Sequence, residues 1–105
     1  MTAIVTDEQA KAFANDLYTA RRDRVPIAPF TEALPDLGML DGYAIQEHLV
    51  KLLVADGEVI SGYKLGLTSL AMQKLRGVDQ PDFAPFFAST VYRDGGEIPV
   101  DRFIA

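Results

Sequence analysis

The chain has 105 residues, 49% hydrophobic, 24% charged and 10% aromatic, the profile of one ordinary globular domain rather than of a disordered segment. Ten Lys and Arg against fifteen Asp and Glu leave a net charge of −5, the wrong sign for gripping phosphate backbones, so nucleic acid is not an expected partner. The absence of cysteine excludes a disulfide framework, a thiolate metal site and a thiol nucleophile, and the single histidine, His48, cannot build a His-rich metal site.

Asp7 and Glu8 stand where a secretory signal needs a basic start, and no apolar run approaches the roughly 18 residues of a membrane span. No membrane association is expected, and the cytoplasm is the expected location. From Thr6 the pattern is helical: Ala10, Phe13, Ala14, Leu17 and Tyr18 recur at helical spacing as one apolar stripe. Thr6 and Gln9 fit a capping box, while Asp7 and Glu8 at the start and Arg21, Arg22 and Arg24 at the end complement the helix dipole. Val25 to Pro35 holds Pro26, Pro29 and Pro35 and reads as an extended surface connector.

A second helix is predicted from an N-cap at Asp41 to Gly57, with Leu40 stapled on Ile45 and a buried face of Ile45, Leu49, Leu52 and Leu53. His48 lies beside that stripe with no acidic partner nearby in sequence and reads as a boundary residue. From Glu58 the period changes to two, which predicts a strand with Val59, Tyr63, Leu65 and Leu67 on one side and Ile60, Gly62, Lys64 and Gly66 on the other. A short helix from Leu70 to Arg76 follows, capped by Thr68 or Ser69 and closed by Gly77. Then come a Pro-containing turn from Val78 to Asp82, a strand from Phe86 to Tyr92, a hairpin turn at Asp94-Gly95-Gly96 and an extended segment from Ile98 to Ile104. The fold class is α+β: two amphipathic helices packed on a small mixed sheet, with a short third helix after the Lys64 strand.

Lys64 is the residue that carries candidate chemistry. It shares a strand face with two glycines that project nothing, so its ammonium stands in cleared space, which suits a ligand. The strand then runs through Gly66, Leu67, Thr68 and Ser69 into a helix start, where free N–H groups favour a carboxylate. A purely structural reading competes: an edge-strand lysine guarding against aggregation, glycines at a bend, and Thr68 or Ser69 as a plain cap. Asp79 and Asp82 flank Pro81 in a turn, where Asp commonly bonds its own backbone. No phosphate-binding glycine motif is present.

The ordered run Gly62-Tyr63-Lys64-Leu65-Gly66-Leu67-Thr68-Ser69, then Ala71-Met72-Gln73 and Gly77-Val78-Asp79-Gln80-Pro81-Asp82-Phe83, strongly resembles the 2-keto-4-pentenoate hydratase family. That family includes the 4-oxalocrotonate decarboxylases and lies within the fumarylacetoacetate hydrolase superfamily. Asp41 to Gln46 upstream and Asp94 to Pro99 with Arg102-Phe103-Ile104 downstream fit the same pattern, so the resemblance spans about residues 40–104 and, loosely, the first helix.

The resemblance implies hydration of a 2-hydroxy-2,4-dienoate to a 4-hydroxy-2-oxo acid in meta-cleavage catabolism of aromatic compounds, with decarboxylation of 2-oxo-3-hexenedioate as the alternative. A non-catalytic anion-binding or assembly module is the alternative of another class. Lys64 matches the family's active-site lysine, whose partial burial would tune it for proton transfer or enolate stabilisation. Leu65, Gly66, Leu67 and Thr68 match the segment lining the substrate pocket, and Asp82 matches the Pro-Asp that would orient substrate or water. The implied cofactor is a divalent metal, Mg2+ or Mn2+, with ligands beyond Ala105, so no residue of this chain matches one. The implied partners are a small 2-hydroxy-dienoate or 2-oxo acid and further copies of the chain in a homo-oligomer. Ala84 departs from the glycine usual after Pro-Asp-Phe. The chain is therefore expected to be the N-terminal part of a longer enzyme, and hydratase turnover is not expected from these 105 residues alone.

Overall fold

In the computed structural model, which describes residues 2–104, the first helix, α1, runs Asp7–Asp23 and starts on the predicted capping box. The Thr6 hydroxyl accepts the Gln9 N–H at 3.1 Å and the Gln9 side chain accepts the Thr6 N–H at 2.9 Å, which satisfies two N–H groups that the helix itself leaves open. Arg24 ends the helix in the left-handed region at φ 56°.

The second helix, α2, spans Met39–Ala55 and is capped at Gly38, three residues before the predicted N-cap. Asp41 is 2% exposed inside the first turn, because its carboxylate is needed there as an acceptor. It takes the Gly38 N–H at 2.8 Å, and its other oxygen takes the N–H groups of Ile4 at 2.7 Å and Val5 at 3.0 Å. One side chain thus starts α2 and ties down the segment that precedes α1. With the cap moved, Leu40 lies within the helix, exposed, instead of stapling it from outside.

The apolar stripes of α1 and α2 meet around buried Ala10, Ala14 and Ile45, with Phe13, Leu17, Phe30, Leu49 and Leu52 packed about them. Alanine at two successive turns of α1 lets the helix backbones approach closely. Tyr18 donates a hydrogen bond to the Asp56 carboxylate at the end of α2, with the Arg22 guanidinium 5.9 Å from the centre of its ring. The bond to Asp56 holds the phenol proton and raises the Tyr18 pKa. His48, read from sequence as lacking an acidic partner, places Nε2 2.8 Å from Asp7 Oδ1, a residue 41 positions away.

After Gly57, which stops α2 at φ 95°, come strand β1 (Ile60–Gly66), helix α3 (Leu70–Arg76) and strand β2 (Asp82–Phe87). β1 and β2 pair antiparallel, with a bulge between Ile60 and Gly62. β2 begins earlier than the predicted Phe86–Tyr92 and takes in Pro85, which a two-stranded sheet tolerates because each strand has an unpaired edge for the missing N–H. Ala88–Thr90 then forms a 3-10 turn. Asp94-Gly95 does turn, with Gly95 at φ 79°, but no strand follows among the described residues. Ile98–Ile104 contains the 3-10 turn Val100–Arg102 instead of an extended run, and its apolar side chains stay exposed.

The α+β class with a short third helix is borne out. Within it the sheet is two-stranded and antiparallel rather than mixed, since no further strand forms after Asp94 among the described residues, and α1 and α2 bury their stripes on each other. The described residues divide into two compact units, residues 2–57 with 95–104 and Glu58–Asp94. Among them no helix is long and apolar enough to cross a membrane.

The N–H groups of Gly38, Val5 and Ile4 hold the Asp41 carboxyl below its ordinary range, against the opposing pull of burial. A depressed folded pKa means that this stabilisation is complete above the unfolded value of about 4 and is lost as pH falls through the lower folded value. Asp41→Asn is therefore expected to lower the urea midpoint at pH 7, and the gap between wild type and variant should shrink as the pH is taken progressively below the unfolded value. Ala14→Leu, which overfills the fully buried contact on α2, is expected to cost about 1–3 kcal/mol in the same measurement.

Candidate functional site

The site is built on the β1–β2 pair. Directly opposed residues of an antiparallel pair point to the same face, and the register sets Gly62 against Phe86, Lys64 against Ala84 and Gly66 against Asp82. Gly62, Lys64 and Gly66 of β1 therefore share one face with Phe86, Ala84 and Asp82 of β2. Lys64 and Asp82, the two residues expected to carry chemistry, are diagonal neighbours on that face, a relation typically spanning about 7–8 Å. No ion pair joins them.

The glycines play a different part from the one expected. A Cβ at Gly62 would sit 2.6 Å from Phe86 Cζ, and one at Gly66 would collide with the Asp82 carboxylate. The space over these glycines is filled by cross-strand side chains, so the lysine stands between an aromatic ring and a carboxylate rather than in a clearing. Ala84, the position that departs from the family pattern, is the small residue directly across from Lys64. Lys64 itself is exposed, so the partial burial implied by the resemblance is not supplied by the described residues.

The four expected substrate-lining positions separate. Gly66 lies on the lysine face. Leu65 belongs to the opposite face, paired with Phe83 and 69% exposed, so only its backbone is near the lysine side. Leu67 adopts φ 52°, a left-handed conformation that costs a non-glycine residue about 1 kcal/mol or more, and so turns the chain out of β1. Thr68 is exposed in that turn.

Gln73, on α3 and 6% exposed, donates its side-chain N–H to the Leu67 carbonyl at 2.8 Å and pins the strained residue. Gln73 falls in the Ala71-Met72-Gln73 run of the resemblance, but nothing in the sequence assigns it this role, because a hydrogen bond back to the turn before its own helix leaves no mark in local spacing. Ser69, not Thr68, caps α3, its hydroxyl accepting the Met72 N–H at 3.2 Å. With seven residues, and with Ser69 already holding one of its open N–H groups, α3 is a poor carboxylate cradle. Asp79 stays exposed in the turn before β2.

Among the described residues no three of His, Cys, Asp and Glu come together as a metal-binding group. The residues present therefore do not fit a divalent cation. The packing of Asp82 against a bare backbone makes Gly66→Ala the sensitive change: it is expected to displace the Asp82 carboxylate, read as a shift of its 13Cγ resonance, while Gly42→Ala, where a Cβ meets nothing within 4 Å, leaves that resonance in place.

No protein-family model matches the chain. Individual relatives do. A 2-keto-4-pentenoate hydratase of Paraburkholderia phymatum is 43% identical over 98 residues, covering 93% of this chain and 37% of that protein. A 2-oxo-hept-4-ene-1,7-dioate hydratase of Escherichia coli is 36% identical over 91 residues, covering 87% of this chain and 34% of that protein. In structure the chain is similar to the 4-oxalocrotonate decarboxylase of Pseudomonas putida G7, solved with magnesium and adipate and also with calcium and acetate. That likeness has a TM-score of 0.77 and 28% identity, over 84% of this chain and 34% of that one. The chain is thus a homologue, over most of its own length and about a third of theirs, of the 2-keto-4-pentenoate hydratases, and it shares the fold of the matching part of a 4-oxalocrotonate decarboxylase.

Proposed function

We propose that this chain carries the lysine-bearing part of a cytoplasmic hydratase that adds water to a 2-hydroxy-2,4-dienoate, giving a 4-hydroxy-2-oxo acid in meta-cleavage catabolism of aromatic compounds. The observation that supports this most is the placement of Lys64 and Asp82 as diagonal neighbours on one sheet face, in a chain whose sequence relatives are named hydratases. The ammonium of Lys64 attracts the substrate carboxylate and stabilises the negative charge that develops on the 2-oxygen as the dienol rearranges to the 2-oxo form. Asp82, held by its packing over Gly66, orients the attacking water or holds a proton beside it. Gly66 lets a flat substrate approach the backbone, and Leu67 and Thr68 line its edge in a turn that Gln73 keeps rigid.

The related decarboxylase structures contain a divalent metal, magnesium or calcium. Such an ion supplies Lewis-acid stabilisation of the 2-oxygen when bound. The described residues offer it no site. Decarboxylation of a 2-oxo-3-hexenedioate is the second reading, favoured by the structural likeness. Homo-oligomerisation belongs to the same proposal, supported by Tyr63, Leu65 and Phe83, all exposed on the sheet face opposite Lys64.

The test is steady-state kinetics of a protein containing these residues, on 2-hydroxypenta-2,4-dienoate and 2-oxo-3-hexenedioate in parallel. Lys64→Ala is expected to lower kcat/KM about 100-fold or more with the circular dichroism spectrum unchanged. Turnover of the dienoate identifies the hydratase and turnover of the hexenedioate the decarboxylase. Undiminished turnover in the variant overturns the reading, and calorimetric oxalate binding without magnesium and without turnover replaces it with an anion-binding module.

A further inference from the structure

The second half of α1 and the connector after it enclose a groove of about 550 Å3, and none of its residues enters the chemistry proposed above. Its formation is local. The N–H groups of Arg24 and Val25 both reach the Ala20 carbonyl, which ends α1 and folds the chain back along it. Pro26 and Pro29 then restrict the connector, and the Phe30 ring packs on that of Phe13 with centroids 4.3 Å apart, closing one end. Val25 and Ile27 line the groove while remaining 56% and 43% exposed, and buried Ala20 leaves room between them and the helix.

The charged residues that line this apolar surface are all acidic. Asp16, Asp23 and Glu32 line the groove, and no Lys or Arg does. Asp23 is shared with Arg22 at 2.9 Å, but Asp16 and Glu32 make no ion pair among the described residues. From Phe13 to Asp23 the groove follows α1 for about 15 Å, the reach of four or five residues of extended chain.

We infer that this groove docks a short segment of a partner protein that presents a bulky apolar side chain beside lysine or arginine. The apolar side chain covers Val25, Ile27 and Phe30, which supplies affinity. Asp16 and Glu32 select a basic neighbour and repel an acidic one, which supplies specificity. Proline in the connector keeps the groove formed before binding, so little ordering cost falls on the encounter.

The experiment is 1H–15N shift mapping on the whole chain with two capped probe peptides, Arg-Leu-Phe-Arg and Glu-Leu-Phe-Glu, identical in apolar content. The arginine probe is expected to move the amide signals of Ala20, Val25, Ile27 and Ala33 saturably, and the glutamate probe to leave them in place. Asp16→Asn combined with Glu32→Gln, both at exposed positions, should weaken the arginine probe about fivefold. Equal binding of the two probes, or unchanged affinity in the double variant, overturns the proposal. So do concentration-dependent shifts at the same amides without any probe, which would assign the groove to a second copy of the chain.

Discussion

A single buried carboxylate organises the first half of the molecule. Asp41 accepts three backbone N–H groups, one from the residue that caps its own helix and two from a segment more than thirty positions earlier. Each of those groups would otherwise be an open donor beside the core, where an unmet hydrogen bond is expensive. Because Ile4 and Val5 lead directly into the Thr6 cap, the same contact sets where α1 starts relative to α2. That placement is what brings Ala10 and Ala14 onto Ile45. Two further cross-ties, His48 to Asp7 at the start of α1 and Tyr18 to Asp56 in its second half, also join the helices.

The same economy of space governs the lysine-bearing sheet. Glycine is an unfavourable strand residue, and β1 contains two, each below a side chain of β2 that could not otherwise lie flat on the sheet. Phe86 and Asp82 occupy those positions on either side of Lys64, with Ala84 across from it. The strain taken up at Leu67 and its tether to buried Gln73 then turn the backbone sharply away at the end of the strand. A charged side chain on β1 thereby has a ring and a carboxylate of β2 on its own face and a rigid turn at the end of its strand.

How much of this was legible depends on the range of the interaction. The Thr6–Gln9 box, the Gly77 stop and the helical stripe of α1 rest on contacts within a few residues, and the sequence pattern located them correctly. β2 starts at Asp82 rather than at the predicted Phe86 because a free strand edge makes Pro85 acceptable within it, and local spacing does not show such an edge. The cap of α2 was misplaced for a related reason. Asp is a good N-cap in isolation, and what moves it to the third helical position is the pair of distant N–H groups that it also serves.

The amino-acid sequence alone determined the three α-helices, the alternation that puts Lys64 on a glycine face, and the resemblance that singled out Lys64 and Asp82, since each depends on residue identity and local spacing. Only the tertiary structure decided that Asp82 and Lys64 share a face, that the glycines admit side chains instead of leaving a void, and that Asp7 answers His48. Those facts depend on strand register and helix packing, which are set by many weak contacts between residues far apart in the chain and leave no mark in the spacing of any one motif.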